Sequence, residues 1–422
     1  MSQRPTEFIE LTIEKLIPGG DGLARHEGKV VFIPGVLPEE KILAEIIESK
    51  KDFSRAELKE ILKPSDQRQE PPCKVAGECG GCDWQHITYA EQLKQKIALT
   101  QDSLSRIGKI TFPNLEIISG QPFAYRNRIQ IQENTEGQKG FLAKQSHRLI
   151  EIETCPIALP SLNTYFQKSA LALQSSSPLQ SPSDKPSPVK QKSNRATKPW
   201  HTKEKIPAFK RIPAWAHTQK SGPEFLIAGE AGSLIPGFSA PILNKKIHFD
   251  LRCFFQSNLA MLEKLLPFIL DDFKNSKLDL ALDLYCGVGL FGAFLKDYFS
   301  KILAVEENRI ALDYAKKNIG LDHTFLTGKL EDLLASQSQE LINSTPDLIL
   351  VDPPRPGLDE VVRKFLIDKG APRLIYISCN PVTLARDLKI LLENGYILQD
   401  LRLFDFYPQT AHIEAVAKLK KA

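Results

Sequence analysis

LDLALDLYCGVGLFGAFLKDYFSKILAVEE, residues 278–307, decides the fold. A near-continuous apolar run ends in a glycine-containing turn, a helix follows, and KILAVEE makes a second strand. Reading outward, the helix ALDYAKKN precedes two further apolar strands, DLILVD at 347–352 and LIYIS at 374–378. Strands that are apolar on both faces and alternate with helices predict a doubly wound, mostly parallel, Rossmann-like α/β sheet over residues 248–422.

Ligands of such sheets sit beyond the carboxyl ends of the strands. Three features fall there: the loop from Asp283 to Gly289, the acid Glu306 at the end of the next strand, and Asp352-Pro353-Pro354-Arg355 after a later one. Cys286 breaks the first position of the G-x-G-x-x-G dinucleotide fingerprint. The shorter D-x-x-x-G-x-G loop, with an acid placed to accept from ribose hydroxyls, favours S-adenosylmethionine over a dinucleotide.

Cys379, in Tyr376-Ile377-Ser378-Cys379-Asn380-Pro381, stands where the LIYIS strand ends. An isolated cysteine is ordinarily a packing residue, but a strand-end loop broken by Asn-Pro favours an exposed thiol. The chain closes with Pro408-Gln409-Thr410-Ala411-His412-Ile413-Glu414, and in a strand His412 and Glu414 share a face. The bland reading of Glu414 is a surface carboxylate. A thiol, a methyl donor and a carboxylate together suit a pyrimidine, whose carbon 5 becomes enolate-like once a thiolate adds to carbon 6. Cys379 is then the nucleophile and Glu414 the base that removes the carbon-5 proton.

Towards the N-terminus, residues 1–63 contain many short strand-like runs broken by turns such as Pro18-Gly19-Gly20-Asp21-Gly22, which suggests a small OB-like barrel. Residues 64–247 read as a mixed α+β region with a cysteine-rich loop, a helix near 88–107 expected to pack on the C-terminal domain, and strands in NRIQIQE and HRLIEIE. A Ser, Pro and Lys-rich insert at about 170–222 lacks the apolar surface to offset its ordering entropy, so it reads as disordered, with order resuming near 224. Within it, residues 184–211 carry nine Lys or Arg against Asp184 and Glu204. That segment is either a solvated linker or a flexible basic arm for phosphates.

The 422 residues carry a net charge of +4, too mild to establish a nucleic-acid partner alone. No signal-like start and no membrane-length apolar run is visible, so a cytoplasmic location is expected. Seven cysteines in such a chain suggest metal ligation or nucleophilic chemistry rather than disulfides. Cys73, Cys79 and Cys82, with distant Cys155 before proline, have a spacing that an iron–sulfur cubane or a zinc ion would both accept. Cys253 and Cys286 are left as packing residues.

On Asp352-Pro-Pro-Arg-Pro-Gly357, Leu374-Ile-Tyr-Ile-Ser-Cys379-Asn-Pro-Val-Thr383 and the terminal FDFYPQTAHIE, the chain resembles the RNA uracil-5-methyltransferase family, in its branch with a TRAM domain and an iron–sulfur cluster. The likeness to its 23S rRNA enzymes spans nearly the whole chain apart from the insert. It implies Cys379 as nucleophile and Glu414 as base. It implies Gln256, Tyr285, Glu306 and Asp352 for S-adenosylmethionine, and a [4Fe-4S] cluster on Cys73, Cys79, Cys82 and Cys155. Residues 1–63 resemble the TRAM domain, and Tyr125-Arg126-Asn127-Arg128 resembles a segment near the RNA, with a strand-edge basic pair as the alternative. Two departures stand out. Leu290 replaces a frequent Asn, which puts a polar cofactor contact in doubt, and Tyr407 replaces a usual Phe, a change expected to be harmless. The expected partner is RNA, with rRNA first and tRNA as the alternative; neither a membrane nor an obligate protein partner is implied. A non-catalytic RNA-binding assembly factor and a cytosine-5 enzyme are the other readings.

Overall fold

The computed structural model describes residues 7–164, 210–219, 222–227, 237–274 and 277–422. Most of the insert, and with it most of the basic run, lies outside these residues. One expectation is corrected: a strand at Lys210–Gln219 lies inside the stretch read as disordered. Its apolar Ala214, Trp215 and Ala216 are buried where the strand pairs with Arg128–Glu133, a gain invisible without the partner.

The C-terminal half is an eight-stranded sheet. Its strands are β1 (Glu116–Ile118), β2 (Leu278–Leu284), β3 (Phe299–Glu306), β4 (Thr324–Thr327), β5 (Leu348–Val351), β6 (Arg373–Ser378), β7 (Tyr396–Phe404) and β8 (Glu414–Lys421). They lie in the order β4-β3-β2-β5-β6-β8-β7-β1. Strands β4 to β6 run parallel, as expected, whereas β8 inserts antiparallel between β6 and β7. Alternate side chains enter separate cores. Leu348, Leu350, Ile375 and Ile377 join one apolar cluster, while Ile349, Val351, Leu374 and Tyr376 join the other. Burial on both faces explains why these strands read as continuous apolar runs.

The helices of this half include α2 (Leu259–Leu270), α3 (Leu290–Leu295), α4 (Arg309–Ile319), α5 (Glu360–Lys369) and α6 (Pro381–Glu393), with two short ones at Leu330–Ala335 and Gln339–Ile342. Local chemistry sets their starts. Asn308 caps α4 through the amides of Ile310 and Ala311, Asp359 caps α5 through Val361, and Asn380 caps α6 through Val382 ahead of Pro381. Asn380-Pro381 therefore ends β6 and starts a helix, so Cys379 sits in a two-residue joint with Asn380.

The helix near 88–107 forms as α1 (Tyr89–Ser103), continued by a π turn at Leu104–Gly108. It packs on the C-terminal half through an unusual face, burying Gln92, Lys96, Leu99, Thr100 and Ser103. Lys96 Nζ lies 2.5 Å from Asp405 Oδ1, both side chains fully buried, and Tyr89 donates to the other carboxylate oxygen at 2.8 Å.

The central region is a five-stranded sheet in the order Leu149–Glu151, Lys139–Leu142, Arg128–Glu133, Lys210–Gln219, Gly222–Ile227. In the N-terminal region, Phe8–Thr12 pairs with Lys41–Ser49 at one end of the sheet, and Lys15–Leu16 pairs with Gly22–His26 at the other. Those two segments are consecutive, and Glu14 donates its amide to Leu23 across the bend. One bent strand thus closes the sheet into a barrel.

Candidate active site and cysteine-lined cavity

The reactive pair expected from sequence is brought together by strand register. Ser378 on β6 pairs with Ala415 on β8. Continuing that antiparallel register by one step sets Cys379 opposite Glu414. Asp352 ends the neighbouring β5, where Val351 pairs with Tyr376. Three acidic or thiol groups therefore share the carboxyl edge of the sheet. Glu414 is 5% exposed, so it is no surface carboxylate, and Cys379 is half-buried rather than exposed. His412 does not share a strand face with Glu414, because β8 begins only at Glu414. Its imidazole Nε2 instead meets the Arg355 guanidinium at 3.2 Å.

Electrostatics follow from that crowding. Burial, reinforced by Asp352, pushes the Glu414 carboxyl well above the usual range. Burial and the charges of Glu414 and Asp352 push the Cys379 thiol up to about 11, against which Arg355 works. Arg355 is held in place by its backbone, whose carbonyl accepts from Asn380 Nδ2 at 3.1 Å. Tyr376, Arg363, Arg386 and the Leu358 amide all meet the buried Asp387 carboxylate, which fixes the Pro354–Leu358 loop behind it.

The glycine loop is shaped for close approach. Tyr285, Gly287 and Gly289 all have positive φ, and a Cβ on Gly289 would lie 2.8 Å from Ala315 Cα on α4. Glu306 spans the loop, accepting from the Gly287 amide at 2.9 Å and the Asn308 amide at 2.8 Å. Tyr285 donates to Glu331 at 2.8 Å. Gln256 lies in a segment tied down by Asn127, Arg128 and Phe406, and its neighbour Cys253 feels the Glu306 charge. Leu290, the departure noted in sequence, is buried at the start of α3. Among the described residues Gln256 Oε1 and Asp283 Oδ1 are buried without a hydrogen-bond partner. Such orphaned acceptors beside a glycine loop fit a polar ligand that completes them.

Asp283 is fully buried, and burial pushes its carboxyl up to about 7, partly offset by the Gly292 amide. Its usual value is 3.8, so its stabilising contribution is fully present below that pH and is lost as pH rises through about 7. Asn at this position keeps an acceptor for Gly292 but never ionises. We expect Asp283→Asn to match wild type in thermal stability near pH 4 and to gain on it by about 1.4 kcal/mol per pH unit up to about pH 7. Parallel melting curves for the two ligand-free proteins would contradict this.

The four spaced cysteines meet as well. Cys73, Cys79, Cys82 and Cys155 line one cavity of about 530 Å³ between the 73–82 loop and the central sheet. Burial, then the neighbouring thiols, push Cys82 up to about 12. Gln85 accepts from the Cys73 amide and Asn163 brackets Cys155 through both its amide and its carbonyl. Among the described residues no His, Cys, Asp or Glu group converges to hold a single metal ion. Cys253 and Cys286 are buried in the apolar core, as their packing role required.

Of the basic segment at 125–128, Arg128 is engaged with the carbonyls of Leu251 and Phe255, and Tyr125 donates to the Pro408 carbonyl. Only Arg126 faces the cysteine cavity. Sequence reading missed the Lys96–Asp405 pair and the role of Gln409. Gln409, at φ +68, exchanges hydrogen bonds with Gln92 and accepts from the amides of Asp83 and Trp84. No local pattern signals contacts that join positions more than 300 apart. Among the described residues no helix is long and apolar enough to cross a membrane.

The tRNA (uracil-5-)-methyltransferase family model matches residues 239–327 and 335–422, and the TRAM domain model matches residues 4–59. An RNA methyltransferase of Aquifex aeolicus, otherwise uncharacterized, is 33% identical over 98% of both chains. The 23S rRNA (uracil(1939)-C(5))-methyltransferase RlmD of Pectobacterium atrosepticum is 32% identical, over 98% of this chain and 94% of that one. In fold, the chain is similar to the Pyrococcus abyssi tRNA (uracil-54, C5)-methyltransferase bound to S-adenosyl-L-homocysteine, with a TM-score of 0.69 at 22% identity over 97% of this chain and 100% of that one. The Rossmann-like sheet with its glycine loop, the TRAM barrel and these full-length relatives agree, and the chain belongs to the RNA uracil-5-methyltransferase family, enzymes that use S-adenosylmethionine.

Proposed function

We propose that this enzyme methylates carbon 5 of a uracil in 23S rRNA through a transient bond between Cys379 and carbon 6. The register that sets Cys379 opposite Glu414 carries the reading, because one planar base can then meet a nucleophile at one carbon and a base at the next. Gln256, Tyr285, Glu306 and Asp352 would hold S-adenosylmethionine, which when bound supplies an electrophilic methyl group. Cys379 adds to carbon 6 and Glu414 takes the carbon-5 proton, after which the thiolate leaves. The target base has to leave its stack to reach these groups. The N-terminal barrel and the five-stranded central sheet would carry the RNA.

The full-length RlmD relative supports rRNA, whereas the tRNA reading draws on the family model's description and a more distant fold likeness. Incubating purified enzyme with labelled S-adenosylmethionine and separate 23S rRNA and tRNA transcripts tests the choice. Label is expected in the rRNA, and labelling of tRNA alone would overturn the assignment.

The cysteine cavity is assigned to a [4Fe-4S] cluster. Four thiols line one cavity, and burial makes Cys79, Cys82 and Cys155 costly to ionise alone, so they form a donor set that iron would stabilise as thiolates. Wild-type protein purified without oxygen is expected to hold about four iron atoms and Cys82→Ser distinctly fewer. Zinc in place of iron and sulfide would refute the assignment.

A further inference from the structure

We propose that Tyr407 is a further catalytic residue: its phenolic hydroxyl donates a hydrogen bond to O4 of the target uracil while Cys379 is bonded to carbon 6. The inference rests on the assignment of Cys379 and Glu414 above. From sequence, Tyr in place of the usual Phe looked harmless; the surroundings of its hydroxyl argue otherwise.

Position comes first. The Tyr407 carbonyl accepts from Lys96 Nζ at 3.0 Å and from Thr410 Oγ1 at 2.8 Å. The next residue's carbonyl accepts from Tyr125, and the one after is tied to Gln92, Asp83 and Trp84. The ring packs edge-on against His412, with centroids 6.0 Å apart at 79°, and His412 is braced by Arg355. A phenol so fixed at both backbone and ring is preorganised, the condition under which a donor accelerates a reaction.

Surroundings come second. The charges of Glu414, Arg126, Cys379 and Asp352 all reach the phenol, so it stands within the reactive cluster, with His412 and Arg355 packed beside it. Among the described residues its hydroxyl makes no hydrogen bond. Burial and the nearby anions hold it protonated, hence a donor. With carbon 6 at the thiol and carbon 5 toward the carboxylate, the carbon 4 carbonyl lies on the Glu414 side, and the phenol ring packs on His412, two residues before Glu414 in the chain.

The chemistry closes around that donor. As the sulfur–carbon 6 bond forms, the electron pair of the 5,6 double bond shifts onto carbon 5 and O4. A hydrogen bond to O4 is therefore stronger in this enolate than in the starting uracil. The electron pair on carbon 5 would take the methyl group as the donor's methyl–sulfur bond breaks, leaving a neutral thioether. Glu414 then removes the carbon-5 proton, the double bond re-forms, and the sulfur of Cys379 departs as thiolate. Tyr407 keeps its proton throughout.

The test compares wild type with Tyr407→Phe on RNA carrying uracil or 4-thiouracil at the target, the sulfur being a poor acceptor. On uracil, Tyr407→Phe is expected to lower kcat about 10- to 100-fold while leaving KM for RNA and thermal stability within about twofold and about 2 °C of wild type. On 4-thiouracil the two proteins are expected to turn over at similar rates. Unchanged kcat, penalties of the two changes that multiply independently, or an effect confined to RNA binding or stability would each overturn the proposal. Trapping with 5-fluorouridine RNA separates it from its premise: an adduct absent in wild type defeats the Cys379 assignment, whereas an adduct formed equally fast in both proteins defeats only the Tyr407 role.

Discussion

Replacing Cys379 by Ala is expected to lower methylation by roughly 10⁴-fold or more and to abolish capture of 5-fluorouridine RNA, while Glu414→Gln accumulates enzyme covalently bound to ordinary RNA. The two phenotypes differ because the residues act at opposite ends of one cycle. Without the thiol, carbon 5 stays a poor nucleophile and no bond to the protein forms. Without the carboxylate, addition still occurs, but the carbon-5 proton has no acceptor and the sulfur cannot leave. Glutamine fills the same buried space opposite Cys379, so the fold should survive. Denaturing gels with labelled RNA read both outcomes. A Glu414→Gln enzyme that turns over normally, or a Cys379→Ala enzyme that still traps RNA, would remove the assignment. The thiol's high pKa, about 11, adds that the ligand-free enzyme should be alkylated slowly at neutral pH.

The second large effect concerns stability. Lys96→Met is expected to cost about 3–5 kcal/mol, because it strands the Asp405 carboxylate in a fully buried place. Tyr89 would remain its one side-chain donor. Burial pulls the Lys96 ammonium down from its usual value and Asp405 opposes that pull, so the pair stands only as a pair. Lys96→Met with Asp405→Leu should recover much of the loss, since apolar replacements of a buried ion pair are often neutral. Urea unfolding monitored by fluorescence decides. A single variant as stable as wild type would show that solvent reaches the site.

These two sites also mark how far the sequence could be read. The parallel strands were legible because β5 and β6 are apolar throughout, and the glycine loop and strand-end acids declared the ligand edge. Cys379 and Glu414 were legible as residues but not as neighbours, since only pairing of β6 with the chain's last strand joins them. The face of α1 misleads an apolar-periodicity reading. Its inward positions include Gln92 and Lys96, which bond Gln409 and Asp405 of the C-terminal half, and Thr100 and Ser103, whose hydroxyls turn back onto the helix's own carbonyls of Lys96 and Leu99. The strand at 210–219 was hidden for a related reason: its buried Ala and Trp matter only once β-pairing with 128–133 is known.

Closure of the N-terminal barrel by its own bent first strand has a practical corollary. Where Thr12, Glu14 and Lys15 carry the strand round the seam, no free row of main-chain donors and acceptors is left there, so neither a foreign strand nor a second copy can zip onto that seam. Whatever this module grips must be held by side chains and turns on its outside, which leaves its grip tunable by surface substitution without disturbing the cylinder.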